Sequence, residues 1–579
     1  MDNGQRTIKN LFEGNRTIFN IPKYQRAYAW EEKHLDDFVD DLENQNLDND
    51  YFFGSILFQE QEMANNFDII NIVDGQQRIT TIIIFMKLLL DRCSKQADQK
   101  TIQILKDTYI ENYGEYKLRV LQDDNEFFKT YILQNNSIPD GEVRTPSQRR
   151  LRDARDHLCK RLEAYSSSTL WAFKDKIERM KVLTYSVKGN AEAAQIFETT
   201  NDRGKSLTNL EKTKSFLMYN FSLVSNLESP LETLQERFGK IYQNYEIIAD
   251  RLDEGLILQY HFIAFEKWKH SKEHRQPVQM IKQQVNTLIK ANHKMKTQRF
   301  IDRYSRELQE SFITVKELLE SQDPYILDIF ALNRSAVSYS LLMKAYKLDK
   351  LKKKPKFKRV ARLMEIICFR LGIGGYRVDR GRETLYQLAR DFKEDFDQLI
   401  NALKNFVDDY CNDTDFRRRL LSTNFYEDVN GNDQRYLFWK YENHLRTKNQ
   451  PIHPAMSYQE FANKDSRTKF SIEHIHSQTP SENEVDVDES QSIQLEEDYL
   501  HGIGNLMLDP ISANSSKSNH DFEYKYENYY SGSLLKQQNE LKTFLKDQTG
   551  KLTWDKTAID NRKNRILEFA LDYWNHKEA

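Results

Sequence analysis

Apolar residues recur at helical spacing through most of the chain, whereas β-rich runs are short. Stripes of apolar residues opposite polar faces predict helices at 31–44, 255–268, 300–320, 325–346, 357–372 and 383–407. Short β-rich runs at 17–22, 51–59 and 67–73 predict strands near the start of the chain. The pattern therefore predicts an α+β protein that is predominantly helical, with a small α/β domain at its N-terminus.

The length of the chain requires more than one hydrophobic core. At 579 residues the usual domain size suggests about three to four folding units. We assign 1–225 to the α/β domain, 226–430 to a helical spacer, and 431–579 to a C-terminal domain. The scarcity of glycine (19) and proline (11) agrees with a mostly helical chain.

Charge and cysteine content exclude some classes of protein. The 85 basic and 88 acidic residues give a net charge of -3, so a surface that binds nucleic acid must be a local patch. The four cysteines are far apart and lack C-x-x-C spacing, which indicates a reducing compartment and no cysteine metal site. We find no signal peptide and no membrane span, and we expect a cytoplasmic protein.

Two polar loops interrupt the N-terminal α/β pattern. Tyr24, Gln25 and Arg26 lie between a strand and a helix. The segment DGQQR, which comprises Asp74, Gly75, Gln76, Gln77 and Arg78, follows a second strand and precedes an apolar helix. Free backbone N–H groups at the positive end of that helix, with Arg78 beside them, predict a phosphate site. The alternative is an ordinary turn in which the aspartate caps the helix.

A third polar loop precedes a helix that we expect to begin near Thr208. Thr208 and Glu211 fit a capping box, which leaves Asn201 and Arg203 in the preceding loop. A solvated connector would have the same composition. Three polar loops that carry arginine on one small scaffold nevertheless favour a shared binding site.

The middle of the chain contains no catalytic spacing and is expected to be a helical spacer or lever. Its densest basic cluster could neutralise DNA phosphates or form a solvated loop and helix start, and both alternatives stay open. The cluster comprises Lys352, Lys353, Lys354, Lys356, Lys358 and Arg359.

Near the C-terminus, the segments FSIEHIHSQ and LHGIGNLMLDPISAN contain four residues whose side chains could take part in catalysis or bind a metal ion. His474 could deprotonate water, while Glu473 and Asn514 offer the oxygen ligands that Mg²⁺ or Mn²⁺ prefers. Asn505 could tie the two segments together and orient the histidine loop. Neighbours in a regular strand point to opposite faces, so Glu473 and His474 can share a site only where the strand ends or distorts.

These motifs resemble those of one family. IPKYQRAYAW, FFGSILF, IVDGQQRITT and FETTNDRGKSLTNLEKTK are similar to the ParB-like N-terminal domain of GmrSD-type restriction systems and of phosphorothioate-sensing phage-defence effectors. The resemblance implies that the three loops bind a nucleotide, GTP or another NTP, and that the domain hydrolyses it. Asn201 and Arg203 would line or brace that site.

The C-terminal segments resemble the HNH variant with the pattern EHIxPQ, GNLxL, Asn and Lys found in the same systems. The resemblance implies a ββα-metal nuclease embedded in helices, with Glu473 and Asn514 as metal ligands, His474 as general base and Asn505 as the structural middle residue. Lys525 matches the downstream lysine and is a candidate DNA contact. The chain departs from the pattern at Ser477, where the family has proline, and in a long acidic interval at 479–500.

The sequence therefore predicts an NTP-regulated, metal-dependent DNA endonuclease of a modification-sensing, anti-phage system. Double-stranded DNA, including modified phage DNA, and nucleotide are the expected partners, and a homodimer is among the expected assemblies. One alternative is a nucleotide-controlled DNA-binding regulator with an inactive HNH centre. Two others are a nuclease that acts on RNA and a helical scaffold that binds no nucleotide.

Overall fold

The structure is a computed structural model of the chain. It describes residues 4–14, 16–45, 51–60, 66–94, 97–187, 189, 192, 196, 207–225, 228–351, 353–377, 379–448, 453–465, 467–478, 497–517, 520–547 and 552–579.

The chain forms two compact units. The N-terminal unit comprises Met1–Phe262 and Trp268–Leu319, and the C-terminal unit comprises Ile263–Lys267 and Glu320–Ala579. The chain is mostly helical with a small mixed sheet near its N-terminus, which confirms the predicted α+β class. The predicted domain boundaries at residues 225 and 430 remain predictions. No helix in the described part of the chain is long and apolar enough to cross a membrane.

The N-terminal unit is built on a six-stranded mixed sheet with the order β1-β8-β3-β4-β2-β7. Its central strand β3 runs parallel to β8 and antiparallel to β4, while β2 runs parallel to β4. The six strands are β1 (Gly4–Thr7), β2 (Thr17–Asn20), β3 (Phe52–Glu60), β4 (Asp68–Asp74), β7 (Leu118–Arg119) and β8 (Lys181–Val187). A separate two-residue hairpin pairs β5 (Glu111–Asn112) with β6 (Glu115–Tyr116).

Helices cover this sheet because their apolar positions face inward. The helix Gln76–Cys93 is buried over nearly its whole length and forms the centre of the N-terminal core. The other helices of this unit are Ile8–Phe12, Glu32–Asn44, Gln99–Tyr109, Gln122–Phe127, Pro146–Leu162, Ser167–Arg179, Asn209–Val224, Glu228–Ile248, Ser271–His274, Pro277–Lys290 and Lys294–Leu319, and Glu254–Phe265 leads into the C-terminal unit. The capping box of Thr208 and Glu211 is present as predicted.

The C-terminal unit is a helical body that contains a short hairpin. Its helices are Pro324–Ala331, Tyr339–Leu348, Pro355–Ile373, Arg382–Asp391, Phe396–Tyr410, Asp413–Leu420, Phe425–Asp428, Gly431–Lys448, Tyr458–Phe461, Glu497–Leu500, Ile511–Lys517, Phe522–Lys525, Lys536–Asn539 and Lys556–Tyr573. The strands β9 (Phe470–His474) and β10 (Leu506–Pro510) pair antiparallel, with His474 opposite Leu506 and Glu473 opposite Met507. A small second hairpin pairs β11 (Lys546–Asp547) with β12 (Leu552–Thr553).

Two predicted helices are each divided in the structure. The predicted helix at 325–346 breaks where Asn333 adopts a left-handed backbone and a 3-10 turn follows. The predicted helix at 383–407 breaks before Phe396, where the Asp395 side chain accepts a hydrogen bond from the Gln398 N–H and so starts a new helix. The apolar stripe continues through both breaks, so periodicity alone predicts single helices there.

Candidate functional site

His474 is the last residue of β9 and is enclosed by three polar or aromatic neighbours. Its Nε2 lies 3.3 Å from Nδ1 of His501, and the Gln478 amide nitrogen lies 3.1 Å from each of its ring nitrogens. The Tyr426 ring meets the imidazole edge to face. Burial, together with nearby His501 and Lys525, lowers the pKa of His474 to about 3. The imidazole is therefore unprotonated at neutral pH.

Glu473 has different neighbours. Its Oε1 accepts a hydrogen bond from Lys525 Nζ at 2.8 Å and another from the Tyr530 hydroxyl at 3.1 Å. Lys525 also donates to the backbone carbonyl of His474 at 3.1 Å. Lys525 is only 1% exposed, so its ammonium group binds the hairpin and is not presented to a DNA backbone, in contrast to the predicted DNA contact.

Asn514 lies on the helix that follows β10, beside the start of β9. Its amide nitrogen donates to Ser471 Oγ and to the carbonyl of Ile472, both at 3.1 Å. This leaves Oδ1 of Asn514 and Oε2 of Glu473 as oxygens with no hydrogen bond to any residue that the structure describes. Both are hard donors of the kind that Mg²⁺ and Mn²⁺ bind, so this donor set fits such a cation.

No group of three or more His, Cys, Asp or Glu side chains within the described ranges could hold a metal ion. A cation on Glu473 and Asn514 would therefore complete its coordination with water and phosphate oxygens, as open catalytic sites do. The pairing of β9 with β10 is regular up to His474, where β9 ends. The end of the strand is one of the two conditions under which Glu473 and His474 could serve one site.

Asn505 is the fully buried residue that holds the histidine loop. Its Oδ1 accepts from the backbone N–H of His476 at 2.9 Å and from Trp554 Nε1 at 3.0 Å. Its amide nitrogen donates to the carbonyls of His476 and Leu500 at 3.2 and 2.9 Å. Asn505 therefore holds the loop that follows His474 through these four hydrogen bonds.

Ser477 compensates for the missing proline after the histidine. Its hydroxyl donates to the carbonyl of His520 at 2.9 Å and so fixes the turn to the segment after the Asn514 helix. The acidic interval lies within 479–500, of which the structure describes only 497–500. Periodicity and motif spacing do not identify His501, Gln478 or Tyr426 as neighbours of His474, because these contacts form only when the chain folds.

In the N-terminal unit, the structure brings the first two polar loops together through their glutamines. Gln25 Nε2 donates to the carbonyl of Val73 at 2.7 Å, and Gln76 Nε2 donates to the carbonyl of Arg26 at 3.2 Å. Gln77 accepts from the Ala29 N–H at 2.8 Å and donates to the carbonyl of Ala27 at 3.1 Å. These three buried glutamines therefore fasten one loop to the other, whereas the sequence predicts that they contact nucleotide.

Arg78 is held against the edge of β3. Its Nη1 and Nη2 donate to the carbonyls of Phe53 and Ser55 at 3.1 and 2.8 Å, and Asp74 lies 3.6 Å away. Gly75 begins the helix with a left-handed backbone (φ +93°), and no aspartate side chain caps it. Burial raises the pKa of Asp74, although Arg78 opposes that shift. The arginine of DGQQR therefore serves first to join the helix to the sheet.

The remaining charged groups of this site are Arg26 and two residues that lie outside the predicted set. Arg26 Nε lies 3.2 Å from Glu211 Oε1. Lys214 donates to the carbonyl of Tyr24 at 3.1 Å and to Gln25 Oε1 at 3.2 Å, and burial lowers its pKa to about 8. The Tyr24 hydroxyl reaches Gln59 Oε1 at 3.4 Å. Asn201 and Arg203 lie outside the described residues.

The basic cluster of the middle segment is partly engaged in internal contacts. Lys354 donates to the carbonyls of Tyr346 and Asp349, and Lys358 lies 3.4 Å from Asp323. Arg359 lies 3.9 Å from Asp397, and Lys356 lies over the Phe396 ring. Lys353 is exposed, and Lys352 lies outside the described residues. The cluster therefore stabilises the start of the helix Pro355–Ile373, and a DNA contact through its exposed lysines stays a prediction.

Two domain models match the chain. The model of the GmrSD restriction endonuclease N-terminal domain matches residues 8–218, and the model of the GmrSD C-terminal domain matches residues 410–569. The protein is therefore a restriction endonuclease of the phage-defence type, and its substrate is DNA. It belongs to the GmrSD family and carries the N-terminal and the C-terminal domain of that family. No curated protein matches the chain significantly.

Proposed function

We propose that this restriction endonuclease cuts DNA through a metal-dependent HNH centre at His474, under the control of a nucleoside triphosphate. The observation that carries the proposal is the hairpin β9–β10 with its following helix, which holds His474 at a strand end. Asn505 fastens the loop behind that histidine from both sides. Hydrolysis of a phosphodiester by an activated water requires a general base and oxygen ligands for a cation, which His474, Glu473 and Asn514 would supply.

Each residue of the centre has one role in this proposal. Glu473 and Asn514 would hold Mg²⁺ or Mn²⁺ through Oε2 and Oδ1. The bound cation would supply positive charge to the phosphate and to the leaving 3′ oxygen. His474 accepts the proton of the attacking water at a ring nitrogen, and Gln478 and His501 orient its ring. Lys525 pairs directly with the buried Glu473 side chain and holds it in place.

The regulatory half of the proposal concerns the N-terminal unit. GTP or another NTP would bind where the Tyr24–Arg26 loop meets the DGQQR turn, with Asn201 and Arg203 contributing from the third loop, and the domain would hydrolyse it. The mutual fastening of the two loops supports a single preformed site. Arg26 and Arg78 supply the positive charge that phosphates require. Binding of nucleotide would license cleavage of DNA that carries the sensed modification.

The nuclease assignment is tested with His474→Ala in the full chain, incubated with modified and unmodified plasmid and Mg²⁺. We expect cleavage to fall by at least about 100-fold, because removal of a general base costs about 10²–10⁴ in rate. The thermal unfolding midpoint and nucleotide binding should stay unchanged. EDTA should abolish wild-type cleavage, and added Mg²⁺ should restore it.

His453→Ala is the matched control, because His453 is another partly buried histidine of the C-terminal unit, outside β9 and β10. This variant should cut like the wild type. Undiminished cleavage by a folded His474→Ala protein would remove His474 from the mechanism, and cleavage that persists in EDTA would remove the metal.

A further inference from the structure

A cleft of about 670 Å³ opens in the N-terminal unit next to the Tyr24–Arg26 loop. Its walls come from that loop, from the start of the helix Asn209–Val224 and from the segment 242–255. This volume is in the range of small-molecule sites, which hold about 300–1,000 Å³. The cleft is therefore large enough for a nucleotide, and Arg26 of the proposed nucleotide site lines it.

Three basic residues line the cleft. Arg26, Arg150 and Lys212 lie there together with the first residues of the helix Asn209–Val224. Arginine binds phosphate oxygens through two parallel N–H groups, and lysine adds a point charge. These side chains are chemically suited to the phosphates of a nucleotide.

The cleft is also lined by acidic and aromatic residues, some of whose polar atoms have no hydrogen-bond partner in the described part of the chain. These residues are Tyr242, Tyr245, Glu246 and Glu254. Within the described residues, Oε1 of Glu246, Oε1 of Glu254 and the Tyr242 hydroxyl are buried atoms with no hydrogen-bond partner. Glu254 is 7% exposed and Tyr242 is 5% exposed. Burial raises the pKa of both carboxyl groups to about 7, although hydrogen bonds from Ser147 to Glu246 and from Thr208 to Glu254 oppose that shift.

A buried acceptor without a partner costs free energy, and such groups in native proteins call for an explanation. A ligand with hydrogen-bond donors would satisfy them. Among the nucleobases, guanine presents two adjacent donors, N1–H and the N2 amino group, on one edge. Adenine and cytosine each place a ring acceptor beside their amino group, and uracil places its N3–H between two carbonyl oxygens. Guanine therefore matches a wall of carboxylate acceptors best.

We propose that this cleft is specific for a guanine nucleotide, with Glu254 and Glu246 accepting hydrogen bonds from N1–H and the N2 amino group. The ring lies against Tyr242 and Tyr245, and the phosphates lie toward Arg26 and Lys212. This inference rests on the proposed nucleotide binding by the N-terminal unit. It adds which base the site recognises and which residues recognise it.

The test measures equilibrium binding of GTP, ITP, ATP and XTP to the full chain, with Mg²⁺ and again with EDTA. ITP lacks only the N2 amino group. We expect the wild type to bind GTP roughly 10- to 100-fold more tightly than ITP or ATP, since hydrogen bonds to charged groups are the stronger ones. Glu254→Gln should weaken GTP binding by about 10-fold or more and improve XTP binding, because a glutamine amide can donate to the xanthine O2.

Asp250→Asn is the matched control, since Asp250 is exposed in the same segment, pairs with Arg149 and does not line the cleft. It should leave all affinities unchanged. Equal affinity for all four nucleotides, or an unaltered preference in folded Glu254→Gln and Glu246→Gln, would overturn the guanine assignment. An effect of Glu254→Gln that vanishes in EDTA would also overturn it, because the carboxylate would then bind the Mg²⁺ of the nucleotide. Absence of any binding by the wild type would instead overturn the proposed nucleotide function.

Discussion

Glu473 is a buried carboxylate whose charge is balanced by one ammonium group. Lys525 lies 2.8 Å from it, and both side chains are almost fully buried. Ionised groups in a protein interior need both a partner and hydrogen bonds, which Lys525 and Tyr530 supply here. The pair therefore couples the stability of the C-terminal unit to the same carboxylate that we propose as a metal ligand.

Removal of one partner of this ion pair should destabilise the C-terminal unit. We expect Lys525→Met to lower the free energy of unfolding of the C-terminal unit by roughly 3–5 kcal/mol, because it leaves a carboxylate buried without a cation. The double variant Lys525→Met with Glu473→Gln should regain much of that loss. Urea unfolding of the full chain checks both, and the exposed Lys542→Met should change stability by less than about 0.5 kcal/mol. Equal stability of Lys525→Met and wild type would contradict the pairing.

Residue types and spacing were sufficient to predict the four polar residues around the hairpin. They could not predict what those side chains bind, because the partners lie far along the chain. Lys525 and Tyr530 are separated from Glu473 by 52 and 57 positions. Similarly, the glutamines of DGQQR have the composition of a ligand-binding turn, yet they satisfy backbone groups of another loop. Such uses depend on burial, which only the tertiary structure defines.

At the scale of elements, strand positions and helix starts follow local chemistry and are predictable. The strands near 17–20, 52–60 and 68–74 and the capping box at Thr208 lie where the sequence predicts them. Helix interruptions are less predictable, because a left-handed residue such as Asn333 leaves the apolar stripe intact. An apolar stripe indicates which face of a segment is buried. It does not indicate whether the backbone stays helical from one turn to the next.

Gly54 leaves the space in which Arg78 joins the helix Gln76–Cys93 to β3. Its backbone has φ +109°, and a Cβ there would lie 1.8 Å from Arg78 Nη1. We expect Gly54→Ala to displace Arg78 from the carbonyls of Phe53 and Ser55. The cost should be roughly 1–3 kcal/mol for the backbone strain, with additional loss from the broken hydrogen bonds.

The measurement is the thermal unfolding midpoint of the N-terminal unit together with nucleotide binding, and both should decrease in Gly54→Ala. Gly141→Ala is the matched control, because a Cβ at Gly141 meets nothing within 4 Å. That control should behave like the wild type. If Gly54→Ala bound nucleotide with unchanged affinity, the seating of Arg78 on β3 would have no part in the site.

At the scale of the whole molecule, the two proposed sites lie in different compact units. The loops that we propose for nucleotide lie in the N-terminal unit, and the HNH centre that we propose lies in the C-terminal unit. Length and motif order predict this separation. The unit boundary near residue 320 falls within the predicted helical spacer, because uniform helical stripes do not show which core each helix joins.

The stability of the N-terminal unit should depend on pH through two buried carboxyl groups. In the folded N-terminal unit, burial raises the pKa of Glu246 and Glu254 from 4.5 to about 7. A carboxyl whose folded pKa is raised stabilises the fold fully below its unfolded pKa, and this contribution is lost as pH rises through about 7. Without nucleotide, the N-terminal unit should thus lose stability between about pH 5 and pH 8. At roughly 1.4 kcal/mol per pKa unit, each group accounts for up to about 3 kcal/mol.

Hydrogen exchange measured on peptides reports the local stability of each unit within one sample. Protection of the helices Glu228–Ile248 and Glu254–Phe265 should decrease from pH 5 to pH 8 after correction for the intrinsic exchange rate. The double variant Glu246→Gln with Glu254→Gln cannot ionise at these positions, so it should be more protected than the wild type at pH 8 and equally protected at pH 5. Peptides of β9 and β10 should exchange alike in both proteins and serve as the internal reference. A pH response that is the same in the wild type and the double variant would show that these two carboxyl groups do not determine the pH dependence of the stability of the N-terminal unit.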